Sequence, residues 1–104
     1  MKHINYLDVD PVEVDEAGAH GTKIRTLIGE QDGATNFFMR VLSMEPGAQS
    51  PNHQHNWEHQ LFILSGGGTV EVDGKTVSIR KGDALFIQPN AKHNIRATEA
   101  MELI

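Results

Sequence analysis

The chain has 104 residues, which fits one compact domain, and nine basic against fourteen acidic side chains give a formal net charge of −5. This acidic balance, without runs of Lys or Arg, argues against nucleic acid or a membrane surface as a partner. Cysteine is absent, which excludes disulfides, thiolate nucleophiles and cysteine zinc sites.

The N-terminal ten residues lack the basic-then-apolar pattern of a signal peptide, and no apolar run approaches the ~20 residues of a membrane helix. We therefore expect a cytoplasmic protein. The sequence has no segment with helical periodicity and caps. It consists of short β-rich runs separated by Gly, Pro, Asn and Asp, which predicts an all-β sandwich or barrel. The predicted strands are residues 22–28, 36–45, 57–64, 84–88, 93–97 and 101–104, with a hairpin over 69–79.

Two of these segments carry further information. In the hairpin, Asp73-Gly74 lies between runs of alternating apolar residues, and both turn residues tolerate a positive φ. The run from Phe37 to Leu42 is apolar at neighbouring positions, which predicts a strand buried on both faces of a closed or double-layer sheet.

Four histidines form the candidate site. If residues 53–55 form a strand, His53 and His55 point to the same face. His59 follows at an even spacing, which keeps it on that face if the strand continues, and a turn between them would also bring it close. His93 lies beyond the hairpin, where a folded-back sheet can place it beside the other three. His3 and His20 have no partner at ligand spacing and are interpreted as surface or hydrogen-bonded residues.

Neutral imidazole suits Mn, Fe, Ni, Cu and Zn, so the set predicts one divalent transition metal per chain. Four neutral ligands leave the charge of the ion uncompensated, which favours an anionic ligand or an acidified water. Octahedral coordination would leave two positions open, whereas a closed tetrahedron would leave none.

The residues around the first three histidines resemble the first cupin motif. Gly47, five residues, His53, one residue and His55 match it, and Gly67 stands at its final glycine. Gln60 occupies the position where that family usually has a glutamate ligand. A neutral amide is a poor metal ligand, and His59 next to it supplies another imidazole.

The second cupin motif is matched in spacing by Gly82 and His93. Gln88, Asn90 and Ala97 stand where that motif has proline, glycine and asparagine. The chain thus resembles small single-domain bacterial cupins with four histidines. The resemblance implies a cupin jelly-roll, or double-stranded β-helix, as one domain over residues 1–104 with a barrel core at about 22–104. It also implies manganese as the metal and dioxygenase-type chemistry.

Several neighbours of the histidines are candidate second-layer or pocket residues. Gln60 either orients a ligand imidazole or is an ordinary strand residue, and Trp57 either walls the pocket or packs at the barrel rim. Arg40, a cation inside an apolar run, needs a partner: a carboxylate such as Glu45, or an anionic substrate. The remaining candidate pocket-wall residues are Phe38, Leu42, Phe86 and Gln88.

The pattern favours a metal-dependent oxidoreductase acting on a small molecule, because histidine ligation without carboxylate fits redox-active metals. A metal-bound small-molecule binding or sensor protein, a metal-assisted isomerase or hydrolase, and a purely structural metal site remain alternatives. No nucleophile with an adjacent base is visible, so nothing indicates covalent catalysis. A homodimer is expected, since a domain of this size gains burial by association.

Overall fold

A computed structural model describes all residues, Met1–Ile104. The chain is mostly strand, with two short 3-10 turns at Tyr6–Asp8 and Glu30–Asp32. The strands are β1 Val12–Glu13, β2 His20–Ile28, β3 Met39–Gln49, β4 His59–Ser65, β5 Gly67–Val72, β6 Lys75–Arg80, β7 Ala84–Ile87, β8 His93–Ala97 and β9 Met101–Leu103.

All strand pairs are antiparallel, and they follow one another in the order β6-β5-β8-β3-β9-β4-β7, with β2 and β1 added beside β3. The sheet curls around its apolar side, as expected for a jelly-roll barrel. The all-β prediction is therefore confirmed. No helix of the chain is long and apolar enough to cross a membrane.

The predicted hairpin is formed by β5 and β6, with Val72 paired to Lys75 across the turn. Asp73 and Gly74 both take left-handed conformations, at φ 48° and 82°. The chemistry of these two turn residues therefore sets the register of the hairpin, as the sequence predicts.

The prediction for strand β3 is wrong in two respects. The strand does not stop at Pro46-Gly47; the pairing with β2 shifts there, and Gly47 takes φ 82°, so the two residues form a bulge that bends the strand. The strand also begins only at Met39, and Phe37 before it is 71% exposed. The run of apolar residues from Phe37 to Leu42 therefore does not form a strand that is buried on both faces.

The core lies on the concave side of the curled sheet and centres on Ile63 and Leu103, which have no exposed surface. Their strands, β4 and β9, are paired directly. Strands β5 and β8 approach closely at Gly68, where an added Cβ would lie 1.9 Å from the carbonyl oxygen of Arg96. This close approach lies at the end of β8 opposite to His93.

The N-terminal segment packs against the convex side. The hydroxyl of Tyr6 donates to Glu102 (3.1 Å), and Arg25 donates to the carbonyl of Val9 (2.9 Å). The short strand β1, which the sequence did not reveal, pairs with β2 at Ile24 and Lys23. These contacts fix the path of the chain ahead of the barrel.

Candidate metal centre

The structure brings the four candidate histidines together. One ring nitrogen from each of His53, His55, His59 and His93 lies within 4.8 Å of the others. The rings meet edge to face, with centroids 4.4–5.2 Å apart. The four rings therefore surround one small volume.

Backbone pairing places two of these residues side by side. The N–H of His53 donates to the carbonyl of His93 (3.1 Å), and the N–H of His93 donates back (2.9 Å). His93 begins β8, but His53 forms only an isolated bridge and His55 lies in no strand. The interpretation of His53-Gln54-His55 as a strand is wrong, although both histidine side chains still reach the same side.

His55 is held from two directions. Its Nδ1 donates to the carbonyl of Trp57 (3.2 Å), and the indole of Trp57 stacks on the imidazole at 4.1 Å with a 3° angle between the planes. The N–H of Asn90, a residue in the left-handed conformation, donates to the backbone carbonyl of His55 (2.6 Å). The turn before β8 therefore fixes the position of the His55 backbone, and with it the position of the imidazole.

The hydrogen bonds also fix which nitrogen faces the centre. Nδ1 of His93 lies 2.8 Å from the carbonyl oxygen of Ala91. A carbonyl only accepts, so Nδ1 of His93 and of His55 carries the proton and each Nε2 keeps a free lone pair. Nε2 of His59 lies 2.7 Å from Nε2 of His55.

Burial keeps two imidazoles neutral. It lowers the pKa of His59 to about 4, helped by the positive charge that His55, His93, Arg40 and His53 would carry nearby. It also lowers the pKa of His93, against the opposing effect of the Ala91 carbonyl. His59 and His93 therefore present neutral nitrogen donors at neutral pH, which is the form that binds metals.

The donor set fits a divalent transition ion. Two nitrogens on opposite sides of an ion at ~2.1 Å lie about 4.2 Å apart, and neighbouring ones about 3 Å apart. The observed nitrogens lie between 2.7 and 4.8 Å from one another, so small ring rotations suffice. No carboxylate joins the cluster, and imidazole alone does not select one metal.

Two predicted neighbours lie at the mouth of the cluster. Trp57 is 57% exposed, so it covers His55 from the solvent side instead of packing in the barrel rim. Arg40 is exposed on β3 and shares its strand face with Leu42, a partly buried residue that packs against the core. Arg40 forms no ion pair, with Glu45 or any other carboxylate. Phe38 is exposed immediately before β3.

The other predicted neighbours are not brought to the histidines. In the pairing of β4 with β7, Gln60 lies opposite Phe86, and both are exposed on the convex side. The amide of Gln60 donates to Glu58 (3.4 Å) and not to an imidazole. Gln88 is exposed beyond the end of β7. Alternation along β4 puts His59 and Leu61 inside, which leaves Gln60 outside.

One neighbour of the cluster escaped the sequence analysis. Oε2 of Glu16 lies 3.4 Å from Nδ1 of His53. Glu16 belongs to the turn between β1 and β2, and no spacing pattern connects it with the histidine motifs. Only the path of the N-terminal segment reveals this contact.

Comparison with known proteins agrees with this geometry. The cupin domain family matches residues 40–104. The polyketide cyclase RemF from Streptomyces resistomycificus has a similar structure, with a TM-score of 0.91 and 30% identity over 99% of this chain and 75% of that one.

Two curated relatives differ in their described roles. Polyketide synthase CurC from Streptomyces cyaneus is 30% identical over 85% of this chain and 58% of its own length. The oxalate-binding protein of Thermotoga maritima is 32% identical over 60% of this chain and 52% of its own. The chain thus spans little more than half the length of these relatives.

Proposed function

This chain belongs to the cupin family, and we propose that it is a metal-dependent enzyme acting on a small anionic molecule. Its site would hold one divalent transition metal through His53, His55, His59 and His93, with manganese as the ion that the resemblance favours. The observation that carries the proposal is the convergence of four imidazole nitrogens within 4.8 Å, with no carboxylate among them.

The residues of the chain prepare this site in the absence of any ion. Backbone carbonyls hold the Nδ1 protons of His55 and His93, which directs both Nε2 lone pairs inward. Burial keeps the His59 imidazole in its neutral form at neutral pH. A bound divalent ion would supply Lewis-acid chemistry, and Mn, Fe or Cu would add redox chemistry.

The charge and position of Arg40 support the proposal that the substrate is anionic. Arg40 is exposed on β3, its charge acts on His59, and it has no carboxylate partner. A cation in such a place is available for a carboxylate or enolate of the bound molecule. The exposed indole of Trp57 offers an apolar wall beside it.

Two reaction classes follow. Ligation by nitrogen alone favours oxidation by a redox-active metal, as predicted from the sequence. Ring closure or isomerisation without oxidation is the second candidate, favoured by the likeness to a polyketide cyclase at 30% identity. A binding or sensor role, as in the relative named for binding oxalate, would need the metal and Arg40 but no turnover.

One experiment separates these functions. Protein loaded in turn with Mn, Fe, Cu and Zn is incubated with a panel of small carboxylates and phenolic polyketones, with oxygen uptake and product masses recorded. Oxygen uptake with a redox metal supports oxidation, and a product of unchanged or dehydrated mass without oxygen uptake supports ring closure or isomerisation. Tight binding with no product under any loading would contradict the enzyme proposal.

The role of Arg40 is tested by binding. Calorimetry of a dicarboxylate such as oxalate to the metal-loaded protein should show about 5-fold weaker binding for Arg40→Gln, which corresponds to about 1 kcal/mol for a partly exposed charge. Arg80→Gln removes the same charge from an exposed position in β6 and should leave affinity unchanged. Equal affinity in the wild type and Arg40→Gln would contradict the anion-binding role.

We also propose that the chain forms a homodimer. The exposed Phe62 and Phe86 lie on the convex side of β4 and β7, where they present apolar surface that association can bury. Light scattering should give twice the 11.5 kDa chain mass. A monomer mass that does not change with concentration would contradict this proposal.

A further inference from the structure

The turn that links the first two strands lies beside the metal centre. The N–H of Ala19 donates to the carbonyl of Glu16 (3.1 Å), which closes the turn, and Gly18 takes φ 86° within it. The amide of Gln49, in β3, donates to the carbonyl of Gly18 (2.6 Å). The N-terminal hairpin is thereby tied to the barrel at Gln49, four residues before His53, the first histidine of the cluster.

This anchoring places a carboxylate next to one imidazole. Oε2 of Glu16 lies 3.4 Å from Nδ1 of His53. In His55 and His93 the equivalent nitrogen meets a backbone carbonyl. His53 has no such carbonyl partner, so the Glu16 carboxylate occupies the corresponding position.

We propose that Glu16 is a positioning residue for the metal centre. By accepting the Nδ1 proton of His53, it selects the tautomer whose Nε2 lone pair faces the ion, and it makes that nitrogen a stronger donor. It also brings a negative charge to a centre whose ligands are all neutral imidazoles. The inference rests on the proposed metal site, and it gives the N-terminal turn, outside the residues 40–104 matched by the family, a part in that site.

A purely structural role does not explain this contact. The side chain of Glu16 is 58% exposed, and His53 is the one side chain with which it pairs. Because it is exposed, removing it opens no cavity in the core. The effect of substitution is therefore expected in the behaviour of the metal site, with little change in the thermal stability of the metal-free protein.

The first test measures Zn²⁺ affinity of the full chain by competition with a chromophoric chelator. Glu16→Ala should bind about 10-fold more weakly, the lower end of the range for such outer partners, because the carboxylate is partly solvated. Glu16→Gln keeps an oxygen acceptor but loses the charge, and should lie between Glu16→Ala and the wild type. Asp15→Asn removes the same charge from the neighbouring exposed residue and should match the wild type.

The second test needs no metal. Nitrogen-15 NMR of the histidine rings in metal-free protein should show His53 mainly protonated at Nδ1 in the wild type and in Glu16→Gln. In Glu16→Ala that preference should disappear. If the wild type binds no Zn²⁺, the proposed function fails, and the NMR spectrum alone decides whether Glu16 orients His53. Unchanged affinity and tautomer in Glu16→Ala, or equal weakening by Asp15→Asn, would overturn the inference.

Discussion

Acidification should destabilise the metal-free protein through His59. The pKa of His59 is about 4 in the folded chain, against a reference of 6.5, because burial and neighbouring positive charge disfavour the imidazolium. Between these values the unfolded chain binds the extra proton. The contribution to stability is therefore fully present above pH 6.5 and is lost as the pH falls towards 4.

The size of the effect follows from the shift. A difference of 2.5 between the reference pKa of 6.5 and the folded value of about 4 corresponds to at most about 3.4 kcal/mol at ~1.36 kcal/mol for each unit. His59 keeps part of its surface in solvent, which screens the charges that act on it. We therefore expect about 1 kcal/mol of the loss in unfolding free energy between pH 7 and pH 4.5 to come from this residue.

Urea unfolding of chelator-treated protein at pH 7, 5.5 and 4.5 measures this loss by linear extrapolation. His59→Gln cannot gain the proton, so its stability should fall by about 1 kcal/mol less than that of the wild type over the same range. His20→Gln, at an exposed position on β2, is the matched control and should follow the wild type. An equal loss in His59→Gln and the wild type would refute the reasoning.

Three further predictions concern the site and its support. Trp57 is the single tryptophan and stacks on His55, so Mn²⁺ or Cu²⁺ should quench its fluorescence in the wild type and not in His55→Ala; quenching in both would place the ion elsewhere. Ile63→Ala, at a fully buried position, should lower the unfolding free energy by about 2–5 kcal/mol in urea, and a loss below ~1 kcal/mol would contradict its central place in the core. Gly68→Ala puts a Cβ 1.9 Å from the carbonyl oxygen of Arg96, so a sharp fall in Tm is expected, and an unchanged Tm would disprove the close approach.

The sequence predicted those features that depend on local chemistry or on fixed spacing. The turn at Asp73-Gly74 sets its hairpin without help from the rest of the fold. The positions of His53, His55 and His93 relative to the motif glycines indicated a shared site, and the structure brings these histidines together with His59. These features could be predicted because turn conformation and alternation along strands are short-range properties.

Features that depend on tertiary packing were not predictable in the same way. Gln60 is adjacent to a histidine of the cluster in sequence, but which face of β4 is covered depends on the curled sheet, and Gln60 lies exposed opposite Phe86 in the pairing with β7. Proline and glycine usually end a strand, but at Pro46-Gly47 they form a bulge, and β3 continues to Gln49. Glu16 reaches His53 only because the β1–β2 turn is tied to β3.

The central claim, that these histidines bind one divalent ion, is tested most directly by elemental analysis of untagged protein after loading with Mn²⁺ or Zn²⁺ and desalting. The account predicts about one ion per chain in the wild type and in His20→Ala, and a sharp loss in His55→Ala and His59→Ala. No retained metal under either loading, or full retention in both of the latter variants, would contradict it.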